Sequence, residues 1–149
     1  MVRSSSRRQL LRPPKEGSLK IESDTNRRGV GKTVLVVDDN APIRKMLVAA
    51  FLSDGFKKCE EAANGKEAIE IAKQTRPDVV VLDYSMPGLT GLQVASLLRE
   101  LFPAMPLMLF TLYASKTMKT EAAKVGINVV LSKNVPVFTI LDKAHELMG

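Results

Sequence analysis

This 149-residue sequence has one cysteine and no long apolar run. It also has no acidic or basic bias over residues 33–149. The single cysteine, Cys59, excludes an internal disulfide and any metal site built from several cysteines. No apolar run approaches the roughly 18 residues that span a membrane, and the N-terminus lacks the apolar segment of a secretory signal. These absences favour a cytoplasmic protein with one domain of ordinary core size.

The excess positive charge is confined to the first 32 residues. The net charge is +6, yet residues 1–32 contain nine Lys/Arg against three Asp/Glu, and residues 33–149 contain thirteen of each. The leading segment is rich in Ser, Arg, Pro and Gly and has no periodicity, which predicts a disordered basic extension. It could be an arm for nucleic acid or anionic lipid, but we favour a solvated tail. Elsewhere we expect no nucleic-acid partner.

From Thr33 onward, strand and helix signals alternate five times, which defines a predicted domain over residues 33–149. The predicted strands cover residues 33–38, 56–62, 77–83, 106–111 and 127–133. The predicted helices cover residues 42–53, 65–75, 90–101, 115–125 and 135–148. This alternation implies a parallel sheet covered on both faces. We expect a flavodoxin-like, doubly wound α/β fold with strand order 2-1-3-4-5.

Polar side chains end four of these strands at one edge of the predicted sheet. Asp38 and Asp39 end the first strand, Asp83 the third, Thr111 the fourth and Lys133 the fifth. Each alone could be a turn or capping residue, but three converging carboxylates repel one another unless a cation joins them. The cation that suits few carboxylates, water and a phosphoryl oxygen is Mg²⁺. Asp83 could then be a nucleophile toward phosphorus, with Lys133 and Thr111 stabilising phosphoryl oxygens.

The segments "VLVVDDN", "VVLDYSMPGLTG", "MLFT" and "VVLSK" resemble, in order, the signature blocks of bacterial response-regulator receiver domains. The resemblance covers residues 33–149 and implies a stand-alone, chemotaxis-regulator-like phosphoacceptor module of a two-component or phosphorelay system. It implies that Asp39, Asp83 and the backbone carbonyl of Ser85 bind Mg²⁺ directly, and that Asp38 acts through water. It also implies a histidine kinase or histidine phosphotransfer protein as the donor to Asp83.

Three positions depart from the family pattern. Leu112 replaces the small residue that usually follows the threonine, and it could crowd the phosphoryl pocket. Asn134 replaces a proline that follows the lysine in a cis bond. Val130 replaces the aromatic residue that turns inward on activation, so we expect a weakened switch. Tyr113 is a candidate substitute for that aromatic residue, with an ordinary loop tyrosine as the equal alternative.

Because the sequence stops shortly after the fifth predicted helix, we expect any output to pass to a protein that binds the face formed by residues 115–148. Two other functions stay open. One is a receiver-like interaction module with little phosphate-dependent switching, which the three departures favour. The other is a Mg²⁺-dependent phosphohydrolase, although Ser85 stands where such enzymes carry a second aspartate. As a receiver, the chain would catalyse at most its own phosphorylation and dephosphorylation. We expect the only histidine, His145, to be an exposed side chain of the last helix.

Overall fold

The structure is a computed structural model that describes residues 29–149. Residues 1–28, most of the predicted basic extension, lie outside the described residues. The strands are β1 (Thr33–Val37), β2 (Lys58–Ala62), β3 (Val79–Leu82), β4 (Leu107–Thr111) and β5 (Val129–Ser132). The helices are α1 (Ala41–Ser53), α2 (Gly65–Thr75), α3 (Gly91–Leu101), α4 (Lys116–Lys124) and α5 (Val137–Met148).

The five strands form one parallel sheet in the order β2-β1-β3-β4-β5, which confirms the predicted topology. The register pairs Val37, the last residue of β1, with Ala62 of β2 and with Leu82 of β3. The carboxyl ends of these three strands therefore lie level at one edge. This alignment brings the residues that follow β1 and β3 together.

The two faces of the sheet pack against separate hydrophobic clusters, because β1, β3 and β4 are buried and apolar on both sides. On one face the cluster includes side chains from α1 and α5, namely Leu47, Phe51, Ile140 and Ala144. On the other face it includes side chains from α2, α3 and α4, namely Ala68, Ala72, Val94, Leu98 and Ala122. The central strands are thus fixed from both sides, and so are the loops that follow them.

Capping side chains begin the four helices that follow β1 to β4. The side chains of Asn40, Asn64, Thr90 and Ser115 each accept a backbone N–H from the first turn of their helix. The third and fourth helices each start one residue later than predicted, at Gly91 and Lys116, because Thr90 and Ser115 are their caps. The last helix begins at Val137 rather than at residue 135, since Pro136 occupies its N-cap position.

Residues 29–32, assigned to the extension from the sequence, contact the loop between α1 and β2. The amide of Gly29 donates to the carbonyl of Asp54 at 3.0 Å, and Val30 forms an antiparallel bridge with Phe56. The amide of Lys57 donates to the carbonyl of Lys32 at 2.8 Å. These contacts lie at the amino ends of the strands, opposite the predicted site.

The expectation that His145 is exposed is wrong. Its side chain is only 16% exposed, and its Nε2 lies 2.6 Å from Oδ2 of Asp54, the residue that ends α1. The imidazole also lies 5.8 Å from the ring of Phe56. His145 therefore joins the last turn of α5 to the end of α1. None of the helices in residues 29–149 is long and apolar enough to cross a membrane.

Candidate phosphoacceptor site

Backbone hydrogen bonds continue past the strand ends and set the positions of the site residues. The amide of Asp38 donates to Ala62 at 3.0 Å, and the amide of Asp83 donates to Val37 at 2.9 Å. The amide of Lys133 donates to the carbonyl of Thr111 at 2.9 Å. Asp38, Asp83 and Lys133 are therefore each held by the neighbouring strand, at the same edge of the sheet.

Lys133 bridges two buried carboxylates. Its Nζ lies 2.8 Å from Oδ2 of Asp38 and 3.2 Å from Oδ2 of Asp83. The three side chains are only 8%, 3% and 7% exposed, respectively. The remaining oxygen of each carboxylate also has a partner, because Oδ1 of Asp38 accepts the amide of Asn40 and Oδ1 of Asp83 accepts the amide of Tyr84, both at 2.8 Å. The structure brings these three predicted residues together as one ionic group.

Burial and charge change the titration of this group. Burial, and then the charge of Asp38, raise the pKa of Asp83 above its ordinary value, although Lys133 opposes both effects. Burial alone would lower the pKa of Lys133, but the hydrogen bond and charge of Asp38, followed by those of Asp83, raise it. Lys133 is therefore firmly cationic at neutral pH. Asp83 carries a desolvated carboxylate, which is a free-energy cost that a bound cation would relieve.

The acidic residues fit a divalent metal ion. One carboxylate oxygen from each of Asp38, Asp39 and Asp83 can be chosen so that all three lie within 4.8 Å of one another. Asp39 is exposed, and within residues 29–149 its carboxylate has no hydrogen bond or ion pair to the protein. Oxygen ligands at this spacing suit Mg²⁺, which keeps several waters and takes few protein carboxylates.

A cavity of about 230 Å³ opens beside these residues. Asp39, Asp83, Ser85 and Lys133 contribute to its lining. Asp38 and Thr111 are instead buried beneath the edge of the sheet, and the hydroxyl of Thr111 accepts the amide of Tyr113 at 3.2 Å. This hydroxyl keeps its own proton available as a donor. The cavity opens to solvent beside Asp83, and Lys133 forms part of its wall.

The three departures from the family pattern lie around this cavity and on β5. Leu112 is part of the cavity lining and is 65% exposed, so it stands at the rim rather than in the core. Val130 is half-buried against the cluster that α2, α3 and α4 cover. The amide of Asn134 donates to the hydroxyl of Ser132 at 3.1 Å, and the peptide bonds of residues 29–149 are all trans.

Tyr113 contacts Tyr84, the residue that follows Asp83. The two rings meet edge to face, with 6.2 Å between centroids and 74° between planes. The amide of Tyr113 is also the group that donates to Thr111. Tyr113 therefore connects the loop after β4 to Thr111 and to the residue that follows Asp83.

Two residues that support the site were not identified from the sequence. Gly91 leaves no room for a side chain, because a Cβ there would collide with the backbone carbonyl of Asp83. Its place in the "DYSMPGLTG" block was the available signal. Arg44 donates from Nη1 to the backbone carbonyl of Asp38 at 2.7 Å. Nothing in the sequence pattern distinguishes Arg44 from its neighbour Lys45.

Comparison with known proteins gives one consistent family. The response regulator receiver domain family matches residues 34–145. The chemotaxis protein CheY of Thermotoga maritima is 34% identical over 97 residues, which cover 65% of this chain and 81% of that protein. The phosphate regulon transcriptional regulatory protein PhoB of Pseudomonas aeruginosa is 35% identical over 106 residues. That match covers 70% of this chain but only 46% of PhoB.

Solved structures give the same fold. The chemotaxis protein CheY4 of Vibrio cholerae superposes with a TM-score of 0.74 at 30% identity, covering 78% of this chain and 98% of that one. A CheX–CheY–BeF3–Mg complex from Borrelia burgdorferi gives a TM-score of 0.79 at 23% identity, covering 83% and 98%. At that identity the second likeness shows the fold alone.

These features define a signalling protein of the phosphoacceptor class, built on a doubly wound parallel sheet. The chain belongs to the response regulator receiver domain family, whose members work in two-component and phosphorelay systems. The predicted class of function is thereby confirmed.

Proposed function

We propose that Asp83 is the phosphoacceptor of this receiver domain and that it accepts its phosphoryl group with Mg²⁺ bound at the acidic cluster. The observation that carries the proposal is the position of Lys133, whose ammonium group lies between Asp38 and Asp83 and lines the cavity that opens on Asp83. A cation fixed there can balance the charge of an incoming phosphoryl oxygen without reorganising.

The chemistry is a transfer of the phosphoryl group from nitrogen to oxygen. An oxygen of the Asp83 carboxylate forms a bond to phosphorus, the P–N bond of a phosphohistidine breaks, and the imidazole leaves and takes up a proton. Lys133 pairs with one phosphoryl oxygen, and the hydroxyl of Thr111 donates to another after a rotation toward the cavity. Thr111 ends β4, which pairs with β3, the strand that precedes Asp83, and Lys133 follows β5, which pairs with β4.

The metal, when bound, supplies positive charge that offsets repulsion between the carboxylates and the transferred group. We assign Asp39, Asp83 and the backbone carbonyl of Ser85 as its direct ligands and Asp38 as a partner through water. Asp39 is suited to this role because it is exposed and its carboxylate has no competing partner among residues 29–149. Asp38 is less suited to direct binding because Lys133 and Asn40 already occupy its oxygens.

We infer that the donor is a histidine kinase or a histidine phosphotransfer protein in the cytoplasm. We further infer that a downstream protein binds the face formed by residues 115–148. Phe138, on the first turn of α5, supports the second inference because it is 61% exposed on that face. An exposed aromatic side chain is a common anchor in protein interfaces.

The decisive experiment for the acceptor is incubation of the chain with Mg²⁺ and a small acyl phosphate or phosphoramidate, followed by intact-mass measurement. The wild-type chain should gain one phosphoryl group, and omission of Mg²⁺ should suppress it. Asp83→Asn should abolish the adduct, because an amide is not a nucleophile of this kind. The matched control is Asp78→Asn, which alters the carboxylate that precedes the same strand and should leave the adduct unchanged.

An adduct that persists in Asp83→Asn would assign the acceptor elsewhere. A wild-type chain that gains no phosphoryl group from a small donor or a kinase would favour the second candidate, a receiver-like module that acts without phosphate. Val130 on β5 and Leu112 at the cavity rim favour that candidate, since neither matches the side chain that the family switch uses.

A further inference from the structure

We propose that Arg44 is a positioning residue for the metal site, because it fixes the peptide that joins Asp38 to Asp39. The inference rests on the proposed function, since it concerns the affinity of the acidic cluster for Mg²⁺. Arg44 lies on the first turn of α1, and its side chain is only 15% exposed. Its side chain therefore reaches the turn that carries Asp38 and Asp39, here called the acidic turn, from within the protein rather than from solvent.

Arg44 forms two hydrogen bonds that tie the acidic turn to the sheet. Its Nη1 donates to the backbone carbonyl of Asp38 at 2.7 Å, and its Nε donates to Oε1 of Glu61 on β2 at 2.9 Å. The ladder of β1 ends at Val37, so the carbonyl of Asp38 lies beyond the regular strand pairing. The guanidinium group supplies a charged donor at that point, and its planar shape serves both acceptors at once.

This contact matters most for Asp39. The carbonyl that Arg44 binds belongs to the peptide whose amide is that of Asp39. The Asp39 carboxylate has no partner of its own within residues 29–149, so its direction depends on the backbone that carries it. A residue that fixes this backbone should therefore act on metal affinity, as hydrogen-bonding partners outside the ligand set commonly do.

Glu61 keeps Arg44 in place and offsets its charge. Oε1 of Glu61 accepts from Arg44, and Oε2 accepts from Lys45 at 3.1 Å. Burial would raise the pKa of Glu61, but the hydrogen bonds and charges of Lys45 and Arg44 lower it. Glu61 is therefore a carboxylate at neutral pH. Lys45 shares this partner but does not contact the Asp38 carbonyl, which makes it a matched control.

Positioning and simple electrostatics predict opposite results when Arg44 is removed. A nearby positive charge repels Mg²⁺, so its loss alone would strengthen binding. If Arg44 instead orients the Asp38–Asp39 peptide, its loss should weaken binding. The sign of the change in affinity therefore separates the two effects.

The experiment is isothermal titration of the full chain with Mg²⁺, comparing wild type with Arg44→Met, Arg44→Lys and Lys45→Met. Arg44→Met keeps the apolar stem, and we expect it to weaken binding on the order of tenfold. Lys45→Met should bind as wild type does. Arg44→Lys keeps the charge but cannot serve both acceptors, so it should show an intermediate loss and provides a second test if Arg44→Met does not fold. The amide resonance of Asp39 in metal-free protein should move in both Arg44 variants and not in Lys45→Met.

Unchanged or tighter binding by the Arg44 variants would overturn the inference, and so would equal losses in Arg44→Met and Lys45→Met. These outcomes leave the proposed function intact, provided that the wild-type chain binds Mg²⁺. A wild-type chain without Mg²⁺ binding would contradict the metal step of the proposed function and this inference with it.

Discussion

The carboxyl edge of the sheet and the face formed by residues 115–148 are built differently. At the edge, Lys133, Asp38 and Asp83 are almost fully buried, and Nζ of Lys133 lies 2.8 Å from Asp38 and 3.2 Å from Asp83. On the face, β5 is only half-buried along its whole length, and Phe138 projects into solvent. The proposed acceptor chemistry would therefore depend on a few short contacts between charges, whereas transmission would depend on side chains that are packed less closely. The groups for accepting a phosphoryl group can therefore all be in place while transmission to residues 115–148 is weak.

The largest effect that separates the two regions should come from Lys133→Met. This change leaves Asp38 and Asp83 buried without their cation, which we expect to destabilise the metal-free domain by about 3 kcal/mol at neutral pH. Chemical denaturation in EDTA measures the loss. Lowering the pH should recover part of it, because a carboxyl group that protonates no longer needs the partner.

The double variant Lys133→Met/Asp38→Asn serves as the control for Lys133→Met. It removes one of the two stranded charges and should be more stable than the single variant. Equal stability of the two variants would show that the buried pair does not behave as one ionic group.

The second-largest effect should be a pH-dependent change in the Tm of the metal-free domain when Asp83 is replaced. Its pKa is raised in the folded state, so its ionisation opposes folding at every pH above that folded pKa. Asp83→Asn should therefore raise the Tm of the metal-free domain at neutral pH. The gain should shrink as the pH falls through the folded pKa toward the ordinary value for aspartate, because the wild-type side chain then becomes neutral as well.

Added Mg²⁺ provides the internal control for this result. It should stabilise the wild type more than Asp83→Asn, and so reduce or reverse the difference in Tm. A metal-free Asp83→Asn variant that is less stable than wild type at neutral pH would contradict the account of a desolvated carboxylate at this position.

The smallest effect should come from residues 29–32, at the edge opposite the acceptor site. A chain that begins at residue 33 should be less stable by roughly 1–2 kcal/mol than one that begins at residue 29, since it loses the backbone bonds to Asp54 and Lys57. Thermal melts of the two truncated chains measure the difference. Both chains should accept a phosphoryl group equally, and a truncated chain with impaired acceptance would show that the two edges are coupled.

The sheet and most of the site could be predicted from the sequence. In a parallel sheet the carboxyl ends of the strands lie at one edge, so residues that follow different strands along the chain come close together in space. Asp38, Asp83 and Lys133 each follow an apolar strand, and the strand order brings those ends together. The sequence also located Leu112 and Val130 as departures, and the structure places them at the cavity rim and on β5.

Contacts between side chains of different elements could not be predicted in this way. His145 and Asp54 are 91 positions apart, and periodicity reports that a residue is on a face without reporting its partner. Arg44 donates to the Asp38 carbonyl and Lys45 does not, which depends on how α1 is oriented on the sheet, and the sequence pattern does not report this orientation. The edge-to-face contact of Tyr84 with Tyr113 depends likewise on loop geometry that no short pattern specifies.

In the proposed mechanism, the carboxyl edge of the sheet has all the groups needed to accept a phosphoryl group, while its coupling to residues 115–148 is weak. A phosphoryl group can shift the conformational equilibrium only by interacting differently with the two states. Val130 has no ring and, as a β-branched residue, few rotamers with which to respond. The contact of Tyr113 with Tyr84 offers a shorter route that ends in the loop before α4.

The decisive measurement of this coupling is a comparison of backbone chemical shifts with and without a beryllofluoride mimic of the phosphoryl group, in the presence of Mg²⁺. We predict large shift changes around Asp83 and in the loop that carries Tyr113, and small ones along residues 115–148. The variant Val130→Tyr should enlarge the changes along residues 115–148, and Tyr113→Ala should reduce them further. Large changes along residues 115–148 that survive in Tyr113→Ala would contradict the account, because the signal would then travel by another route.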